Sequence, residues 1–289
     1  MPEFIAGLRA VADRYDSFIL DLWGVLHDGT APFPGVLDAL ERLNAAGKRI
    51  AILSNAPRRA EAVAERIAEI GIPRRLYGAL VSSGEEAWQR LHRRDDPFHA
   101  ALGRKVFHIG PPRDNGMLDG LDLDRVDRIA DADFILNTGP WGWEETPENY
   151  EKRLAEAKAR DLPMVCANPD LVVMHQNRLM ICAGTLADLY ERMGGRVAWH
   201  GKPYRPVYER CFAALGVGDP RRVLAVGDSL RTDIAGANNV GIDAVLVAGG
   251  IHSEEFGVRQ GEIPDRSRVR LAVDSSGHRP NYVLPHFVW

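Results

Sequence analysis

At 289 residues the chain is long enough for one large or two modest domains with buried cores. Its 45% hydrophobic and 26% charged residues exclude a disordered or low-complexity chain. A formal net charge of −4, with no Lys/Arg block standing out, excludes a dedicated nucleic-acid or polyanion binder.

The opening residues, MPEFIAGLRAVADRYD, lack the basic end and apolar stretch of a signal peptide and read as a short amphipathic helix. Residues 17–21 read as a buried strand, 34–46 as a helix closed by Gly47, 49–53 as a strand and 58–70 as a helix ending at Gly71. Farther along, KVFHI and DFILN read as strands, and PMVCA as another. Between them TPENYEKRLAEAKAR reads as a helix with Thr146 as N-cap and Pro147 in its first turn. The opening rhythm then returns. VAWH, RVLAV (222–226) and DAVLV read as strands, separated by helices over 204–215 and 231–239.

This alternation predicts an α/β fold: a Rossmann-like doubly wound parallel sheet core formed by residues 1–83 and 183–289, with an inserted α/β cap domain over 84–182. Ala183 to Thr185 are expected to start a helix at the return hinge. The apolar tail RPNYVLPHFVW is expected to dock on the core. Cys166, Cys182 and Cys211 are too few and too scattered for a disulfide framework or a CxxC zinc site, which fits a reducing compartment. No run approaches the roughly eighteen apolar residues of a membrane helix. A cytoplasmic location without a membrane partner is therefore expected.

Ligands of doubly wound sheets bind at the carboxyl ends of the strands, and a polar residue stands at each such end here. The first strand ends in Asp21 and the second in Ser54 and Asn55. The strand after the insertion leads to Gly201 and Lys202, and RVLAV leads to Asp228 and, five residues on, Asp233. Three carboxylates converging on one crevice repel unless positive charge lies among them. Such an oxygen-rich set suits Mg²⁺, and Mg²⁺ favours phosphate-bearing substrates. Ser54 and Asn55 would donate hydrogen bonds to phosphoryl oxygens, and Lys202 would neutralise their charge. These are the parts that phosphoryl transfer needs. Each has a plainer reading: Ser54 and Asn55 as a helix start ahead of Pro57, Asp233 as an N-cap, and Lys202 as a surface lysine.

Four segments, DLWGVLHDG, ILSN, GKP and VGDSLRTDIAGA, resemble in order and spacing the signature motifs of haloacid dehalogenase-like phosphatases. With the long insertion and its ANPDLVV stretch, the chain is similar to the α/β-capped class IIA branch, which includes nitrophenyl and sugar-phosphate phosphatases. The resemblance implies that Asp21 is the nucleophile, forming an aspartyl-phosphate that water then hydrolyses. It implies Mg²⁺ held by Asp21, the backbone carbonyl of Trp23, Asp228 and, through water, Asp233. Ser54 and Lys202 would hold the phosphoryl group, with Lys202 also orienting Asp21.

The pattern breaks at Trp23, where the family usually places a second Asp that protonates the leaving oxygen. Three readings are open. Another group substitutes, with His27 and Asp28 close in sequence and Asp170 and His175 supplied by the insertion. Alternatively, the substrate is an aryl or acyl phosphate or a phosphoanhydride, whose leaving group needs little proton donation and whose aromatic part stacks on the indole. Or the protein binds a phosphometabolite with only vestigial turnover. Trp141 and Trp143 in GPWGWEE shape a substrate pocket, pack within the cap, or meet a second copy in a homodimer. A small phosphorylated metabolite is the expected partner, with no nucleic acid.

Overall fold

The computed structural model describes residues 2–175, 178–258 and 262–289, and divides into two compact units. The first comprises the chain through Ser54, Ala64–Val81 and Lys202–Trp289, and the second Asn55–Val63 and Ser82–Gly201.

The first unit is built on a seven-stranded sheet. Its spatial order is Glu3–Phe4, Tyr282–Leu284, Asp243–Val247, Val223–Gly227, Ser17–Leu20, Arg49–Ser54 and Ala79–Ser82. Every pairing from Glu3–Phe4 across to Arg49–Ser54 is parallel. Ser17–Leu20 is central and buried throughout, which is why it reads as a continuous apolar run and not as an alternating one. From it the chain steps outward to Arg49–Ser54 and Ala79–Ser82, then returns to the other side at Val223–Gly227. The order therefore reverses between Ser17–Leu20 and Val223–Gly227, the place where a doubly wound sheet leaves a crevice. Helix Val36–Ala45 buries Val36, Ala39, Leu40 and Leu43, a stripe at helical spacing.

The second unit carries a five-stranded parallel sheet in the order Val197–Trp199, Met164–Cys166, Phe134–Asn137, Lys105–Ile109, Asp124–Val126. Side chains alternate across it. Phe107, Ile109 and Ile135 pack with Tyr150 and Tyr190 on one face, and Val106, Phe134 and Leu136 with Leu91 and Met117 on the other. An antiparallel pair, Val172–His175 with Arg178–Ile181, completes this unit.

Several expectations change. The strand Val197–Trp199 pairs with Met164–Cys166 and so belongs to the second sheet, as does helix Ala183–Arg192 to the second unit. The return boundary lies at Gly201 instead of 182, and the first crossing lies near Ser82, with residues 55–63 also in the second unit. The opening segment is not a helix. Glu3–Phe4 forms an edge strand on Tyr282–Leu284, followed by two short 3₁₀ turns, because the C-terminal tail supplies the backbone partners: Ile5 N–H donates to Val283 O and Leu8 N–H to Val288 O, each at 2.9 Å. The tail itself docks as expected, burying Tyr282, Val283, Leu284 and Phe287.

Helix Glu148–Ala159 starts after Pro147 without a side-chain cap from Thr146, whose own N–H donates to Asn149 Oδ1 at 2.8 Å. Among the described residues no helix is long and apolar enough to cross a membrane.

Candidate active site

Leu20 pairs with Val226 on one side and Ile52 on the other, so Asp21 leaves the sheet at its centre, next to the reversal of strand order. Its N–H extends the ladder by one bond, to Val226 O at 2.8 Å. The neighbouring strands end at Gly227, ahead of Asp228, and at Ser54. Lys202 opens the last segment of the same unit. Asp21, Asp228, Asp233, Lys202 and Ser54 are all buried.

The Lys202 ammonium donates to Asp21 Oδ1 and, at 2.7 Å, to Asp233 Oδ1. One carboxylate oxygen from each of Asp21, Asp228 and Asp233 lies within 4.8 Å of the others. Asp233 reaches this place because Leu230–Ile234 winds as a π turn ahead of helix Ala235–Val240, a local widening frequent at functional sites. Asp233 is not the N-cap. Ser229 caps the turn by accepting Thr232 N–H, while Asp233 Oδ2 accepts Ser229 N–H at 3.1 Å. Asp228 Oδ2 accepts Ile251 N–H at 2.8 Å. The backbone closes tightly on this carboxylate, since a Cβ at Gly24 (φ +82°) or Gly250 would fall 2.1 or 2.2 Å from Asp228 Oδ2. The Gly250–Ile251 contact escaped sequence reasoning; its only sequence signal is the Gly-Gly pair soon after DAVLV.

Electrostatics follow from burial. Desolvation pushes the Asp21 carboxyl up to about 7, with Lys202 pulling it down and Asp233 pushing it up. Desolvation, then the charges of Asp21 and Asp233, hold Asp228 well above the usual carboxylate range. Three buried carboxyl groups share one ammonium, and their oxygens form an all-oxygen donor set. Those residues fit a hard divalent cation.

Trp23 begins the turn after Asp21 and is half-buried. Its indole meets the His27 ring edge-on, with centroids 5.3 Å apart, and lies against Gly29. His27 is buried. Its Nδ1 accepts Gly29 N–H at 2.8 Å, Nε2 has no hydrogen-bond partner, and burial pushes the imidazole down to about 4. Asp28 Oδ1 accepts from Thr30 N–H, Thr30 Oγ1 and Ala31 N–H, a turn-capping role that lowers its pKa, chiefly through the Thr30 side chain.

In the second unit, Asn55 Nδ2 donates to Asp170 Oδ1, and Asp170 N–H donates to Asn168 Oδ1, each at 2.9 Å. Asn55 and Asp170 are therefore paired with each other. The His175 side chain lies outside the described residues. Sequence reasoning missed a buried chain in this unit: Glu86 to His200 Nδ1, His200 Nε2 to His99 Nε2 at 3.2 Å, and His99 Nδ1 to Asp96 at 2.7 Å. Its members are spread from residue 86 to residue 200, so no local motif marks them.

Comparison with known proteins gives this site its kinship. Residues 18–124 match the family described as haloacid dehalogenase-like hydrolase, and residues 199–288 a second model described as HAD-hydrolase-like. The chain is 30% identical to chronophin of Homo sapiens, covering 85% of each chain. It is 27% identical to glycerol-3-phosphate phosphatase of Gallus gallus, covering 89% of this chain and 90% of the other. A haloacid dehalogenase-like hydrolase from Brucella suis shares the fold with a TM-score of 0.84 and 33% identity, over 99% of this chain and 100% of its own. The chain belongs to the haloacid dehalogenase-like hydrolases.

Proposed function

We propose that this chain, a phosphoric monoester hydrolase by kinship, hydrolyses a small phosphorylated metabolite (a sugar, nucleotide or aryl phosphate) through an aspartyl-phosphate on Asp21, with Mg²⁺ as cofactor. The observation that carries the reading is the Lys202 ammonium held between Asp21 and Asp233, with an Asp228 oxygen within 4.8 Å of theirs, at the reversal of strand order. Relatives named as phosphatases favour turnover over a role in binding alone.

Asp21, with one oxygen bound by Lys202, is oriented for attack on phosphorus. Lys202 and Ser54 would hold the phosphoryl oxygens and keep positive charge where the transferring group gains negative charge. Asp21, the Trp23 carbonyl and Asp228 would hold the ion, with Asp233 acting through water; when bound, it neutralises the carboxylates and polarises the phosphoryl group. Lys202 also fixes Asp233, so one side chain sets two members of the cluster.

Phosphate release from 4-nitrophenyl phosphate, with and without Mg²⁺, tests this. The native protein should release phosphate only with the ion. Asp21→Asn should fold with an unchanged circular dichroism spectrum and release none. Undiminished turnover by Asp21→Asn would overturn the mechanism.

A further inference from the structure

The buried chain of Glu86, His200, His99 and Asp96 lies wholly in the second unit and has no part in the chemistry proposed above. Glu86 stands on helix Ser83–Arg93, His99 on the short helix Pro97–Ala100 that Asp96 caps, and His200 just after strand Val197–Trp199. Glu86 and both imidazoles are buried. Carboxylates close the outer ends of the chain. Glu86 accepts from His200 Nδ1 and, at 3.4 Å, from Arg90 Nε. Asp96 Oδ2 lies 2.7 Å from His99 Nδ1, while its Oδ1 accepts Phe98 N–H and His99 N–H. Burial raises the Glu86 carboxyl, but His200 and Arg90 outweigh it and hold the group below its ordinary value. Burial raises Asp96 as well, and the backbone and ring of His99 outweigh that. Both acids are therefore ionised, and each histidine Nδ1 must carry a hydrogen to bond one.

The inner ends of the chain are the two Nε2 atoms, 3.2 Å apart. With both rings neutral, two lone pairs would face each other across that gap. With both rings fully protonated, two N–H groups would. Neither arrangement makes a bond. The contact closes with one hydrogen, as Nε2–H···Nε2, so the two rings carry three ring hydrogens and one positive charge between them. Glu86 and Asp96 flank that charge, and Arg90, which also binds Asp95, is the further charged group that meets Glu86. Burial, and then the charge of His200, pull the His99 imidazole below its ordinary value, so a second proton is resisted.

We infer that His99 and His200 share a single proton, and that this pair is a clasp, closed only within a band of pH, on the segment by which the chain leaves the second unit. His200 N–H donates to Cys166 O at 3.0 Å, which carries the pairing of Val197–Trp199 with Met164–Cys166 past the end of the strand. Gly201 follows as the last residue of the unit, at φ +113°. A Cβ there would fall 2.5 Å from Asn55 Oδ1 and 2.8 Å from Ser83 Cβ, so the segment has no slack while His200 is held. Acid adds a second proton and sets N–H against N–H. Base removes the shared proton and sets lone pair against lone pair. Either change opens the contact between the rings and frees His200 to move with its backbone.

The test is a titration of the full chain, labelled with nitrogen-15, from about pH 5 to about pH 9, the range in which histidine charge changes. Near neutrality the two rings should show three N–H groups between them, and their shifts should move together in two steps, as a coupled pair does. Protection of His200 N–H against hydrogen exchange should be highest near neutrality and fall at least about tenfold toward each end, the loss expected when a hydrogen bond to a charged group opens. His99→Leu should leave that protection low and level throughout. Rings that titrate independently, each in one step, overturn the shared proton, and native protection that is level across the range overturns the clasp. A zinc ion found by elemental analysis, with two ring N–H groups in place of three, overturns the proposal in favour of a metal site. The native titration decides the matter even where His99→Leu fails to fold.

Discussion

Lys202 and Asp233, separated by 31 positions in sequence, form a buried ion pair with Nζ 2.7 Å from Oδ1, and the same ammonium also binds Asp21. Removing the cation leaves three buried carboxylates facing one another. Lys202→Ala is therefore expected to lower the stability of the metal-free protein by about 3–5 kcal/mol, the usual cost of leaving a buried charge uncompensated. Urea unfolding with and without Mg²⁺ measures it. The loss should shrink when Mg²⁺ is added, and a loss under about 1 kcal/mol without metal would show that the carboxylates are not ionised together.

Asp228 has one oxygen tied to Ile251 N–H and an oxygen in the three-carboxylate set. If that set holds the ion, Mg²⁺ should raise the thermal midpoint of the native protein, by the equivalent of about 2.7 kcal/mol at a hundredfold excess over its dissociation constant. Asp228→Asn should abolish the rise while leaving the metal-free midpoint within a few degrees. An undiminished rise in Asp228→Asn would place the ion elsewhere.

Gly29 stands at φ +94°, and a Cβ there would come within 2.4 Å of the Trp23 Cη2 atom. Gly29→Ala combines left-handed backbone strain with a ring clash, so a loss of about 1–3 kcal/mol is expected. In Trp23→Ala the clash term vanishes and the backbone term stays. A double-mutant cycle should thus return a coupling energy above about 0.5 kcal/mol, whereas simple additivity would count against the packing of indole on glycine.

Two buried groups of the second unit make opposite contributions to the pH dependence of stability. Burial pushes His108, hydrogen-bonded through Nε2 to Thr138 Oγ1 at 2.9 Å, down to about 4. Between about pH 6.5 and 4 the unfolded chain binds a proton that the native state refuses. Its stabilisation is therefore complete above about pH 6.5 and is lost on acidification, roughly 3 kcal/mol in all. Burial pushes Asp114 up to about 6, so its native carboxyl binds a proton before the unfolded one does, and its cost at neutral pH is relieved on acidification. His108→Gln should flatten the fall in stability between about pH 6.5 and 4, and Asp114→Asn should steepen it. Urea midpoints across that range give both slopes, and slopes shifting in the same direction would contradict the assignment.

Much of the first sheet was legible because central parallel strands such as Ser17–Leu20 are buried on both faces and read as short apolar runs ending abruptly in polar residues. Position at or soon after the expected strand ends pointed to Asp21, Ser54, Lys202, Asp228 and Asp233, and the resemblance of four motifs to those of haloacid dehalogenase-like phosphatases supplied their expected roles. Strands with a weak local signal, such as Glu3–Phe4, Asp124–Val126 and Ala79–Ser82, did not show. Each is short or edge-placed, and its stability comes from a partner far away in sequence.

The sequence by itself determined the α/β class, the inserted second unit and the set of polar residues at strand ends, because periodicity and strand termini are local properties of the chain. Only the tertiary structure decided which sheet takes Val197–Trp199, since the choice between two parallel sheets depends on pairing with Met164–Cys166 and not on the strand's own residues. It also decided that Asp233 turns toward Lys202 instead of capping its helix, that Ile251 holds Asp228, and that Gly29 fixes the proton of His27 on Nε2. The reason is common to these cases. A hydrogen bond to a buried carboxylate or imidazole is set by where the backbone donors and cations come to rest, and the fold brings them there from turns and segments whose conformation the local pattern leaves open.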